Sequence, residues 1–96
     1  MLNDEALLTS GRRTLTLEGQ AVTKLAESLS PSFAAACQLI LKTQGRVIVT
    51  GMGKSGHIAH KIAATLASTG TPAFFVHPGE ASHGDMGMIT QRDTVL

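Results

Sequence analysis

The chain has 96 residues, 43% apolar and 16% charged, with one cysteine, no tryptophan and no tyrosine. This is at most one domain, too apolar for a disordered chain and too cysteine-poor for a disulfide scaffold. A formal charge of +1 and three phenylalanines exclude both a phosphate-driven nucleic-acid binder and an aromatic stacking platform for single strands.

The first ten residues carry Asp4 and Glu5 and lack the basic-then-apolar order of a signal peptide. The longest uncharged stretch, Ile62 to Gly79, is broken by Gly70 and Pro72 and cannot be a membrane-spanning helix. A soluble, cytoplasmic protein with no membrane partner is expected. Leu15, Val22, Leu25, Ala26 and Leu29 recur at helical spacing, which predicts a helix from near Ser10 to before Pro31. Ser30-Pro31 then reads as an N-cap with proline at the first helical position. The stripe Phe33, Ala36, Cys37, Ile40 and Leu41 predicts a second helix ended near Gly45, with Cys37 a buried structural thiol.

The pattern then changes. Arg46-Val47-Ile48-Val49-Thr50 is a β-branched run stopped by glycines, the signature of a strand buried on both faces. Gly51 to Gly56 forms a turn, and His57 to Ser68 a helix with Ile58, Ile62, Ala63 and Leu66 inward. Ala73 to His77 is a second strand stopped by Pro78-Gly79. Strand, turn, helix and strand make a βαβ unit and hence a parallel sheet. Glu80 to Ile89 is polar and glycine-rich with little periodicity, Arg92-Asp93 is a turn, and Thr94-Val95-Leu96 opens a third strand. The expected organisation is a helical segment, residues 1–45, followed by residues 46–96 as part of a doubly wound α/β domain.

Gly51, Gly53 and Gly56 let the backbone turn sharply beneath a ligand, while the next helix offers unpaired N–H groups and the positive end of its dipole. Lys54 and Ser55 add a cation and a hydroxyl, making an anion site suited to phosphate; the bland alternative is a tight turn with both side chains merely solvated. The spacing fits G-x-G-x-x-G, with Glu80 as a candidate ribose partner, but a lysine inside that turn is atypical. A nucleotide P-loop would need a glycine where Ile48 lies. A phosphosugar suits one cationic loop plus a polar second loop.

The second loop is His83-Gly84-Asp85, beyond the carboxyl end of the second strand, where open parallel sheets bind ligands. His83 there could exchange protons or bind a sugar hydroxyl, or the segment could be a self-stabilised turn. Glu80 is a candidate base, hydroxyl ligand or solvated acid. His57 and His60, three apart on a helix, lack a third partner at metal-ligand spacing and read as surface residues; His77 reads as structural. No metal site and no cofactor is expected.

The segments Gly51-Met-Gly-Lys-Ser-Gly-His57, Lys61 to Glu80, and His83-Gly-Asp-Met-Gly-Met-Ile89 resemble the sugar isomerase (SIS) domain of bacterial D-arabinose 5-phosphate isomerases, without a gap from about Arg46 to Ile89. The resemblance implies a flavodoxin-like α/β domain preceded by two helices. It also implies interconversion of D-ribulose 5-phosphate and D-arabinose 5-phosphate, a step towards the Kdo of lipopolysaccharide, with paralogous branches in capsule synthesis and sorbitol utilisation. It makes Lys54 and His83 catalytic candidates, and Gly51, Gly53, Ser55, Gly56, Glu80 and Asp85 substrate-binding candidates. It further implies a sugar phosphate and further copies of the chain as partners, tetrameric in full-length members. Ala59-His60 departs from the family's usual small pair. The family's serine-rich phosphate loop, catalytic glutamates and CBS domains have no counterpart in residues 1–96, so this stretch is expected to be an inactive N-terminal part of the isomerase. The alternatives are a non-catalytic phosphosugar-binding half-domain or, more remotely, a dinucleotide-binding module.

Overall fold

A computed structural model describes residues 2–82 and 84–96, with Asp85 through its backbone alone. The chain divides into two compact units, residues 1–34 and 35–96. The first unit holds helix α1, Asp4–Ser28. It starts at Asp4 rather than near Ser10 because the Asn3 side chain accepts the Ala6 N–H at 2.8 Å. That cap satisfies an end donor, and Asp4 and Glu5 complement the helix dipole in the first turn. No residue of α1 is buried.

Helix α2, Pro31–Leu41, begins at the proline as the sequence predicts, with Phe33 N–H donating to Ser30 C=O at 3.0 Å. It stops at Leu41, before Gly45. Its expected apolar stripe is only partly covered: Phe33 and Leu41 are exposed, and the free thiol of Cys37 is half-buried rather than buried.

In the second unit a parallel sheet forms in the order β2-β1-β3 from β1 (Val47–Val49), β2 (Ala73–Phe75) and β3 (Thr94–Val95). The α/β class with a parallel sheet preceded by helices is as expected. β1 lies in the middle and all three of its residues are buried. Register sets Val47 beside Ala73 and Thr94, and Ile48 beside Phe74 and Val95. Val47 and Val49 pack on Ala59 and Ala63 of helix α3, Lys54–Ser68, joined by Ile40, Leu66, Ala73 and Phe75. Ile48 is buried on the other face, where the Arg46 guanidinium lies 4.5 Å over the Phe74 ring.

Helix α3 corrects one expectation. Its buried residues are Gly56, Ala59 and Ala63, whereas Ile58 is 62% and Ile62 37% exposed. The small residues occupy the sheet-facing line and let the helix approach closely, which turns the two isoleucines to its flank. The first turn of α3 also reaches back to Lys54, because the residues after Gly53 are already helical.

β2 ends at Phe75, short of His77. His77 instead caps a four-residue helix α4, Pro78–Ala81, its Nδ1 accepting the Gly79 N–H at 3.0 Å. A 3₁₀ turn, Asp85–Met88, follows. Single turns carry no period, which is why this stretch reads as irregular from sequence. Near the N-terminal ends of β1 and β3, Asp93 accepts the Arg46 N–H at 2.7 Å and the Thr90 N–H at 2.8 Å. Gly45 N–H donates to Arg92 C=O at 2.8 Å.

Candidate functional site

The strand order fixes where a ligand can sit. From β1 the chain crosses through α3 to β2 on one side, then returns to β3 on the other. The two neighbours of β1 therefore diverge at its carboxyl end, the point where open α/β sheets bind ligands. The glycine loop occupies that point. Thr50 anchors it, its hydroxyl donating to Val76 C=O, and Val76 N–H donates to Val49 C=O at 3.0 Å.

The loop folds back on itself at two glycines. A Cβ at Gly51 would meet the Ser55 carbonyl carbon at 2.9 Å, and one at Gly56 the Gly51 carbonyl oxygen at 2.6 Å. Between them Gly53 has φ 57° and ψ −128°, a conformation L side chains rarely adopt. It forms the N-cap of α3 with no side-chain hydrogen bond. The start of α3 thus offers main-chain N–H groups and the positive dipole end, with Lys54 and Ser55 in its first turn.

Two hollows flank this helix start. One, of about 350 Å³, lies between the ends of β1 and β3 and the flank of α3; Lys54, Ser55, Thr50, Ile58, Ile62 and Leu96 line it. The other, of about 220 Å³, has Gly51, Gly53 and Gly56 on its wall with His57, His60 and His77. Lys54 and Ser55 are brought together on the first, and the three glycines on the second. His60 stacks on Phe75 with ring centroids 3.9 Å apart, and the structural reading of His77 agrees with its capping bond. Among the described residues, no group of three His, Cys, Asp or Glu side chains could hold a metal ion.

Glu80 sits in α4, exposed, and lines neither hollow. His83 and the side chain of Asp85 lie outside the described residues. Sequence reading missed Thr50, Ile58 and Leu96 as lining residues; the sole signal was that Thr50 closes β1 and Leu96 follows β3, strands adjacent only once the sheet order is known. No helix among the described residues is long and apolar enough to cross a membrane. Chemically, the first hollow joins Lys54, Ser55 and the N–H groups of the helix start to an apolar wall, an arrangement that could take a phosphorylated small molecule.

The family model of the SIS domain matches residues 40–96. The chain is 62% identical over 92 residues to arabinose 5-phosphate isomerase GutQ of Escherichia coli K12, covering 96% of this chain and 29% of that protein. It is 63% identical over 87 residues to arabinose 5-phosphate isomerase KdsD of Pseudomonas aeruginosa, covering 91% of this chain and 27% of that protein. A solved structure from E. coli CFT073, in complex with arabinose 5-phosphate, superposes with a TM-score of 0.91 at 44% identity, over 98% of this chain and 50% of the other. The chain therefore spans less than a third of the length of these curated relatives.

Proposed function

The chain belongs to the SIS domain family, and on that premise we propose that its glycine loop binds the phosphorylated sugar of an aldose–ketose isomerase acting on D-ribulose 5-phosphate and D-arabinose 5-phosphate. The observation that carries this reading is the uncapped start of α3, at the carboxyl end of the central strand, with Lys54 and Ser55 on one hollow. The names of the GutQ and KdsD relatives support the substrate. Residues 46–96 are the first half of the SIS domain and residues 1–45 a helical segment before it. The protein works in the cytoplasm and assembles with further copies of itself.

The reaction moves a proton between adjacent carbons. A base takes it from C1 of the ketose, the electrons form a cis-enediolate across C1 and C2, a proton passes from the C1 hydroxyl to the C2 oxygen, and the base returns its proton to C2 to give the aldose. Lys54, in the first turn of α3, supplies a positive charge to the developing enediolate or positions the substrate. Ser55 and the amides of the turn hold oxygens of the sugar phosphate. Gly51, Gly53 and Gly56 permit the close backbone approach. His83 exchanges protons or binds a hydroxyl from the second loop, with Glu80 and Asp85 as hydroxyl ligands. Chemistry of this kind uses no redox cofactor.

Titration of the chain with D-arabinose 5-phosphate, followed by amide chemical shifts, tests the reading. Saturable binding centred on Thr50 to Gly56, competed by inorganic phosphate, is expected. Residues 1–96 alone are expected to bind without turnover, since the family resemblance sets the general base elsewhere. Absence of saturable binding at millimolar sugar, or binding of a nicotinamide dinucleotide in its place, would overturn it.

A further inference from the structure

We propose that Thr50 is a positioning residue for the sugar end of the ligand: its hydroxyl sets the exit of β2, and with it α4, against the glycine loop. This deepens the sugar-phosphate reading of that loop, on which it rests, by separating what places the sugar from what holds its phosphate.

Thr50 is the last residue before the loop, and it bonds both neighbours of β1. Its N–H donates to Leu96 C=O at 3.0 Å, and its hydroxyl donates to Val76 C=O. Any residue but proline could supply the first bond, whereas the second needs a hydroxyl at this position. The ladder between β1 and β2 ends one step earlier, where Val76 N–H donates to Val49 C=O at 3.0 Å. Val76 is 5% exposed, and among the described residues its carbonyl has the Thr50 hydroxyl as its hydrogen-bond partner. A carbonyl so placed is costly to leave unpaired. The chain therefore leaves β2 from a fixed point.

Both segments that meet at this bond have little slack. After Val76, His77 Nδ1 accepts the Gly79 N–H at 3.0 Å and His77 C=O accepts the Ala81 N–H at 2.9 Å. Glu80, a candidate hydroxyl ligand, lies inside that bonded turn. After Thr50, Gly51 packs on the Ser55 main chain, and Lys54 and Ser55 line the first hollow. One hydroxyl thus sets the spacing between a segment carrying the anion-binding groups and one carrying a carboxylate. An inorganic phosphate needs the first segment only. A sugar phosphate reaches for both, and a displaced second segment costs it the contacts of its hydroxyls.

Titration of the 96-residue chain with D-arabinose 5-phosphate and, separately, with inorganic phosphate, followed by amide chemical shifts, tests this role. In the wild type the sugar phosphate should shift amides from Thr50 to Gly56 and from His77 to Ala81, and inorganic phosphate the first set only. Thr50→Val keeps the shape and loses the hydroxyl. It should weaken the sugar phosphate about threefold to tenfold, the range of one net hydrogen bond, and inorganic phosphate by less than about twofold. Thr50→Ser should bring the sugar affinity back to within about twofold of the wild type. A loss of stability alone would leave the ratio of the two affinities where it was. An unchanged ratio in Thr50→Val, or wild-type sugar-phosphate shifts that stop short of His77, would overturn the positioning role and leave the sugar site standing. A wild type with no saturable sugar-phosphate binding would overturn both.

Discussion

Gly51 and Gly56 meet backbone to backbone, so that the carbonyl oxygen of the first would stand 2.6 Å from a Cβ on the second. The first turn of α3 therefore lies directly against the end of β1, with Lys54 and Ser55 held between two points of contact. The clash at Gly56 is with main chain, which cannot rotate away as a side-chain tip can. Gly56→Ala is expected to destabilise the fold by about 1–3 kcal/mol in urea denaturation. It should also weaken arabinose 5-phosphate binding at temperatures where the variant remains folded, because relief of the clash moves the first turn.

Gly53 presents the opposite case. Space around it is open, and its cost on substitution lies in the backbone alone, at φ 57°. Gly53→Ala and Gly53→Asn should each lower stability by about 1–3 kcal/mol, since ψ of −128° lies away from the left-handed helical region that asparagine tolerates. Equal loss for the two variants in thermal melts is the expected outcome; full retention by asparagine would contradict this account of the turn.

Lys54 is exposed and supports no part of the core. Lys54→Met should leave the unfolding midpoint unchanged while lowering affinity for the sugar phosphate about 10–100-fold, the range of a charge-assisted hydrogen bond. The remaining binding should also be less sensitive to salt. Titration at two ionic strengths separates this from a general loss of the site.

Asp93 contributes to the acid limb of stability. Main-chain N–H donors, Arg46 first and Thr90 second, hold its carboxyl below its ordinary value of 3.8. The unfolded chain therefore takes up the proton at a higher pH than the folded one. Stability from this group is present above the ordinary value and is lost as pH falls through the lower, folded value. Asp93→Asn should flatten that part of the profile in denaturation measured from neutral pH into the acid range. An unchanged slope would mean that the paired N–H donors do not discriminate the ionised form.

The parts legible from sequence are those carried by composition over several residues. Val47-Ile48-Val49 needed no partner to read as a buried strand, and Ser30-Pro31 marks the start of α2 by backbone chemistry alone. Gly53-Lys54-Ser55 reads as a candidate anion site because the residue types exceed what a turn needs, and the structure sets Lys54 and Ser55 on one hollow. Ile58 is the more hydrophobic residue but not the inward one: Gly56, Ala59 and Ala63 bury less area yet decide which line of the helix meets the sheet. Asn3 does not read as a cap from sequence because the apolar period begins later than the helix. Leu96 could not be assigned to the site from sequence, since β3 becomes a neighbour of β1 only through a strand order that composition does not encode.

That strand order also bears on how the molecule breathes. β1 is flanked on both sides, and β3 pairs with it through Thr94 N–H to Arg46 C=O at 3.0 Å, Leu96 N–H to Ile48 C=O at 2.8 Å and Thr50 N–H to Leu96 C=O at 3.0 Å. The same Leu96 walls the hollow that holds Lys54 and Ser55. A sugar phosphate seated there, as proposed, would touch both strands, and its binding is expected to oppose opening of β3. Slower amide hydrogen exchange at Thr94 and Leu96 on saturation with sugar phosphate would be the signature of that coupling.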